Sequence, residues 1–231
     1  MYISALSHGE LENVAALATA IELLHRSNVR VEALLSSTDA DQAGKHRDRL
    51  LDHVRAITKF NQQHPRSRID GIHLDIEPQQ RAENKGAGNL GFLPGLAAAY
   101  RDVRALAEPA GLTVNADIQN KLLKGSAVER RQLLQSLPRL TLMLYELNDA
   151  KGRSFDEEAA TLRAASRRFL DMAYDGLHDP GLAQMVIGLR TPDYDEMLPR
   201  MLESLDEANG NNTHYLGWAR HSYNDVAERE R

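Results

Sequence analysis

Cysteine is absent from the 231 residues, which excludes disulfides, thiolate metal sites and a cysteine nucleophile together. Long apolar runs are missing too: no window approaches the roughly 18 uninterrupted apolar residues of a membrane span. The start, Met1-Tyr2-Ile3-Ser4-Ala5-Leu6-Ser7-His8, has neither a basic region nor a long apolar stretch, so it does not read as a secretory signal. The expectation is a cytoplasmic protein as the chain stands, or an exported one if further sequence precedes it. Positive charge is in deficit, with 28 Lys and Arg against 33 Asp and Glu and a net charge of −5; this argues against a nucleic-acid partner, which needs a basic face. Aromatic residues make up only 5%, with a single tryptophan. No HExxH or HxH pair occurs, and the first apolar segment ends in Ser7-His8-Gly9-Glu10 rather than in a glycine-rich phosphate turn. No cofactor is therefore expected. What remains is a chain of 42% hydrophobic and 26% charged residues, ordinary for a folded protein. No linker or low-complexity tract divides it, so a single domain over 1–231 is expected, with its oligomeric state open.

Two periodicities alternate along the chain. Strand-like segments occur at Tyr2–Leu6, Val29–Ser36, Ile69–Ile76, Leu112–Ile118, Leu140–Glu146, Met185–Leu189 and Tyr215–Ala219. Helical stretches lie between them at Glu10–Arg26, Lys45–Gln63, Phe92–Glu108, Ala127–Gln135, Phe155–Tyr174 and Asp193–Ala208. In the first helix Leu11, Val14, Ala15, Ala18, Ile21 and Leu24 form one apolar stripe. Such alternation implies an α/β fold of parallel strands joined by crossover helices. Seven strands at about 35 residues per unit suggest a (β/α)8 TIM-type barrel whose first βα unit is lacking or irregular. An open doubly wound sheet is the competing architecture, weakened by the missing phosphate turn. The unpaired edges of an incomplete barrel would need cover, either from an upstream unit of about 35 residues or from a tail or neighbouring chain. The polar stretches Gln79–Gly91, Gln119–Ser126 and Asn148–Ser154 follow strand C-terminal ends, where barrel enzymes build their active sites.

The chemically informative segment is Ile69-Asp70-Gly71-Ile72-His73-Leu74-Asp75-Ile76-Glu77-Pro78. Side chains alternate across a strand, so Gly71, His73, Asp75 and Glu77 share one face and Ile72, Leu74 and Ile76 the other. The aliphatic face suits the layer beneath the helices, and the polar face then lines the interior. Two carboxyls and an imidazole on one buried face are costly unless paired. Their proximity raises at least one carboxyl pKa, and a carboxyl that holds its proton near neutrality is what a general acid requires. A salt-linked plug that only fixes strand register would use the same residues.

Residues 70–77, Asp-Gly-Ile-His-Leu-Asp-Ile-Glu, resemble the DGxDxDxE strand of chitinases and endo-N-acetylglucosaminidases, glycoside hydrolase family 18. The resemblance implies a TIM barrel with this segment as its fourth strand, Glu77 as general acid and Asp75 orienting an acetamido group. His73 departs from the family, which has an aspartate there; its imidazole is expected to bond Asp75, and His73→Asp would restore the family strand. Met143-Leu144-Tyr145-Glu146 is similar to the family's sixth-strand MxYD, with Glu146 in place of aspartate. This implies sugar contacts for Tyr145 and Glu146. Trp218 falls in the last strand, where the family floors its sugar site with a tryptophan; a core position is the other reading. Asp70 joins the candidate substrate residues as the first member of the strand motif.

Asn115 and Asp117 share an inward face of Leu112–Ile118 and suit sugar hydroxyls or plain barrel filling. Arg190 ends Gly188-Leu189-Arg190 and suits a carboxylate, from an acidic sugar or from a structural ion pair. Two rival functions use the same strand. His73, Asp75 and Glu77 at period two could bind a divalent metal for a hydrolase or phosphodiesterase, with Asp117 or Glu146 completing the set. Alternatively, the broken motif marks a barrel that binds carbohydrate without cleaving it. The first reading is a glycosidase acting on an oligo- or polysaccharide, with no metal among its site residues.

Overall fold

A computed structural model of the chain describes residues 1–4, 6–7, 10–11, 13–85, 90–144, 154–179, 181–190 and 198–221. Two compact units are present. One comprises Met1–Asp117 with Gln132–Pro138, the other Ile118–Arg131 with Arg139–Arg231.

The first unit opens with β1 (Tyr2–Ile3), followed by β2 (Leu6–Ser7) and β3 (Glu10–Leu11), then α1 (Val14–Arg26), β4 (Glu32–Ser37), α2 (Lys45–Gln63), β5 (Gly71–Ile76), α3 (Leu93–Ala107) and β6 (Thr113–Gln119), whose last two residues belong to the second unit. β1, β4, β5 and β6 pair in that order, all in parallel. Their register sets Tyr2 opposite Glu32, Glu32 opposite Gly71, and Gly71 opposite Thr113; two residues on, Leu34, His73 and Asn115 align, and then Ser36 and Asp75. The expected strand Tyr2–Leu6 is shorter than read. Leu6 and Ser7 pair antiparallel with Leu11 and Glu10, a local hairpin that apolar periodicity alone does not register. The same hairpin moves the start of α1 from Glu10 to Val14, where Asn13 caps the helix by accepting from Ala16 N–H.

Alternation does what the pattern implied. Ile72, Leu74 and Ile76 are at most 1% exposed, and α3 packs on β5 as α2 packs on β4. Each such side chain contributes roughly 1.5–3 kcal/mol of burial. α2 buries Leu50, Val54, Ile57 and Phe60 at helical spacing. Its last turn also carries Asn61, a buried amide that donates to the Ile69 carbonyl and accepts from the Ile69 N–H, both at 2.8 Å. That pair of bonds stands in for a missing ladder partner and fixes where β5 begins.

The second unit contains α4 (Ala127–Leu134, shared with the first unit from Gln132 on), β7 (Arg139–Met143), α5 (Phe155–Tyr174), β8 (Gln184–Arg190), α6 (Leu198–Asn209) and β9 (Tyr215–His221). β7, β8 and β9 pair in parallel, with a register shift between Met185 and Val186. α5 starts at a capping box, in which Ser154 accepts from Glu157 N–H and the Glu157 carboxylate accepts from Ser154 N–H. α5 and α6 are tied by the Arg163 guanidinium donating to Ser204 Oγ at 2.5 Å and by Asn209 donating to Ser166 Oγ at 3.0 Å. Across both units the described residues form seven parallel strands with helices between them, an α/β fold of the TIM-barrel type. Among the described residues no helix is long and apolar enough to cross a membrane.

Candidate active site

The polar rows of β4, β5 and β6 converge on His73. The imidazole is fully buried, its Nε2 lies 2.9 Å from Asp117 Oδ1 and its Nδ1 3.5 Å from Glu32 Oε2. Both carboxylates act on the ring through hydrogen bonding and through charge. Burial pulls the His73 pKa down, but the Asp117 and Glu32 carboxylates outweigh it and the net shift is upward. Glu32 in turn accepts from Asn115 Nδ2 at 2.8 Å. Tyr2 covers the ring, stacked at 3.8 Å between centroids with 24° between planes. An imidazole between two carboxylates replaces the expected His73–Asp75 bond; the parallel register explains this, since it sets His73 in line with Asn115 on β6 and Asp75 in line with Ser36 on β4.

Gly71 makes room for the group. A Cβ at that position would lie 2.9 Å from the Thr113 carbonyl oxygen and 3.3 Å from Glu32 Cγ, closer than packed atoms tolerate.

Asp75 lies one step further along β5 and is half-buried. Its pKa is raised to about 6, first by burial and then by the charges of Glu77 and Asp117; His73 and a long hydrogen bond of 3.5 Å from Ser36 Oγ oppose the rise. Tyr100, fully buried on α3, donates to the Asp117 carbonyl at 3.4 Å. Its hydroxyl pKa is pushed well up by burial and by the charges of Asp117, Asp75 and Glu77.

Glu77 follows β5 and is half-buried. Its N–H continues the ladder by donating to the Ser37 carbonyl at 2.8 Å. Pro78 then starts a short 3-10 turn, Pro78–Gln80, which bends the chain back so that Gln79 Nε2 donates to Glu77 Oε1 at 3.2 Å and Gln80 Nε2 donates to Glu77 Oε2. The turn is anchored by Arg81, whose guanidinium grips both oxygens of the Asp41 carboxylate and donates to the Thr38 carbonyl. Glu77 thus sits on a braced rim.

Of the sequence-predicted residues, the structure brings together His73, Asp75, Asn115 and Asp117 in the first unit, with Glu77 following on the same strand. Asp70 stands apart. It lies about 20 Å from Glu77 along the strand, and its carboxylate accepts from Val31 N–H at 2.8 Å and contacts His25 Nε2 at 2.9 Å. Trp218 is on β9 in the second unit, 41% exposed, with Ile187 opposite it. Arg190 ends β8, and its side chain lies outside the described residues, as do Tyr145 and Glu146. Sequence reasoning missed Glu32, Tyr2, Gln79 and Gln80. Glu32 was findable, because Glu32, Leu34 and Ser36 fall on one face of their strand at period two. The amide clamp on Glu77 was not, since it depends on how the turn closes. Among the described residues no three His, Asp or Glu are spaced to hold a metal ion; both His73 nitrogens face carboxylates other than Asp75 and Glu77.

The chain superposes on a chitinase from Bacteroides thetaiotaomicron at a TM-score of 0.50, with 16% identity over 82% of this chain and 57% of that one. A glycoside hydrolase family 18 N-acetylglucosaminidase from Paenibacillus barengoltzii gives 0.50, with 13% identity over 81% and 60%. The fold is that of the family 18 barrels. The spore cortex-lytic enzyme of Bacillus megaterium also matches at 0.50, with 12% identity over 82% of this chain and 42% of that one. The chain therefore spans between about two fifths and three fifths of these solved chains. No protein-family model and no curated protein sequence matches it.

Proposed function

We propose that this chain is a glycoside hydrolase-like protein acting on an oligo- or polysaccharide, with the carboxyls of Asp75 and Glu77 as its proton-handling pair. The observation that carries the reading is a carboxyl raised to about 6 two residues before a second carboxyl at the strand's C-terminal end, on a fold shared with chitinases and related glycosidases. Burial and the neighbouring charges of Glu77 and Asp117 raise the Asp75 pKa to about 6, so near neutrality Asp75 keeps its proton in part. Glu77, the outer member, protonates the glycosidic oxygen; Asp75 orients the substrate and shares that proton. Asp117 then acts from behind through His73, Asn115 does so by way of Glu32, and Tyr145, Glu146, Arg190 and Trp218 are proposed sugar contacts. Stereochemistry depends on whether a substrate carbonyl or a second carboxylate attacks the anomeric carbon.

One observation favours a second reading, binding without turnover. Gln79 and Gln80 donate to both oxygens of Glu77 and so occupy the positions a glycosidic oxygen would approach, and His73 stands in the place of the family's middle aspartate. A panel of labelled glycans assayed for both retention and cleavage separates the two. Cleavage by the wild type supports the glycosidase; saturable binding with no product on any glycan supports the lectin-like barrel. Activity abolished by a chelator and restored by a divalent ion would replace both with the metal-dependent reading.

A further inference from the structure

One cavity lies beside the candidate site without belonging to it. Its volume is about 550 Å3, and among the described residues its walls include Ser36, Thr38, Asp39, His46, Arg49 and His53. This size is ordinary for a small-ligand site. It sits where the C-terminal end of β4 leads into α2, and Ser36 is a shared wall, since its hydroxyl donates to Asp75.

The two oppositely charged walls of this cavity, Asp39 and Arg49, differ in how they are engaged. Asp39 is already engaged, accepting from Thr38 Oγ1 at 3.0 Å and lying 3.8 Å from Arg81 Nη1. Arg49 is exposed, and no ion pair or hydrogen bond engages it among the described residues. His53 Nε2 is withdrawn from water and lacks a hydrogen-bond partner, a state that native structures rarely leave unexplained. Burial and then the Arg49 charge push the His53 pKa down, against a smaller opposing effect of Asp52. Among the described residues, the Arg49 guanidinium is thus the charged wall of this cavity left without a counter-ion, with two hydroxyl oxygens beside it that can accept. An arginine of this kind pairs well with a carboxylate through two parallel N–H bonds.

We infer that this cavity is a subsite for a carboxylated sugar, a uronic acid or a residue with an equivalent acidic substituent, next to the Asp75–Glu77 pair. The carboxylate pairs with Arg49 beside the His46 and His53 rings, while the sugar hydroxyls donate to the hydroxyl oxygens of Ser36 and Thr38. The choice of a sugar rests on the glycosidase reading, whereas the anion preference rests on the cavity alone.

The test is a titration of the full chain with D-glucuronate and, in parallel, with D-glucose at matched ionic strength. It follows the imidazole resonances of His46 and His53, assigned with His46→Gln and His53→Gln. Glucuronate should shift both in a saturable way, glucose should not, and Arg49→Gln should weaken the response at least about fivefold while Arg49→Lys retains part of it. Arg49 is exposed, so these variants should fold as the wild type does. Equal responses to glucose and glucuronate, or a glucuronate response unchanged by Arg49→Gln, would overturn the inference. The titration needs no turnover: if no glycan is cleaved yet glucuronate still binds through Arg49, the subsite stands and only the glycosidase reading falls.

Discussion

Replacing Asp75 by asparagine should make the protein more stable at neutral pH while removing a carboxyl of the proposed pair. The magnitude follows from its pKa, raised from 3.8 to about 6. One unit corresponds to about 1.4 kcal/mol, so keeping Asp75 ionised in the folded state costs up to about 3 kcal/mol. The side chain is partly exposed, and solvent screening brings the expected effect to about 1–3 kcal/mol. Between roughly pH 4 and pH 6 the folded chain binds more protons at this residue than the unfolded chain does. Its contribution therefore falls as pH rises through that window and stays low above it. His73 acts in the same direction: with its pKa raised, its stabilising contribution is present below the unfolded value and is lost as pH rises through the folded one. Comparing Asp75→Asn with wild type cancels most of the His73 effect. Urea unfolding of both proteins at pH 4.5, 6 and 7.5 should show a stability advantage of the variant that is smallest at the lowest pH and grows to about 1–3 kcal/mol at the highest. A difference independent of pH, or a variant less stable at pH 7.5, would refute the assignment of a buried, proton-holding carboxyl.

His73→Asp should not restore a family-like site. It would set a third carboxylate against Asp117 and Glu32 in place of their imidazole partner and should cost about 3–5 kcal/mol, read as a lower urea midpoint that recovers partly in Glu32→Gln/His73→Asp. Gly71→Ala should destabilise by about 1–3 kcal/mol, because the added methyl must displace the Thr113 carbonyl; thermal unfolding checks it. Asn61→Ala leaves the N–H and C=O of Ile69 without their partner and should cost about 2–4 kcal/mol. Amide exchange at Ile69 should quicken accordingly.

Much of this molecule was legible in its residues because the relevant forces are local or periodic. Ile72, Leu74 and Ile76 against His73, Asp75 and Glu77 fix both the strand and its two faces, and α2 and α5 begin and end where their apolar stripes and the Ser154 capping box place them. Failures came where tertiary geometry decides. The partner of His73 depends on the register between β5 and β6, which no single strand carries, so the imidazole was expected on Asp75 and is found between Asp117 and Glu32. Asp70 looked like part of the acidic motif because it is contiguous with it. Its position at the strand's start gives it to the backbone of Val31 and to His25 instead. Glu32 escaped notice inside Glu32-Ala33-Leu34-Leu35, where an apolar reading of the segment hides one buried acid.

The central claim is that Glu77 protonates a glycosidic oxygen. Its most direct test is the initial rate of cleavage of the best labelled oligosaccharide at pH 6 by wild type and by Glu77→Gln, with folding of both verified by circular dichroism. Removing a general acid typically costs 10²–10⁴-fold, so the variant should be slower by about 10²-fold or more while still retaining the glycan. A variant that cleaves within a few fold of the wild-type rate would contradict the account.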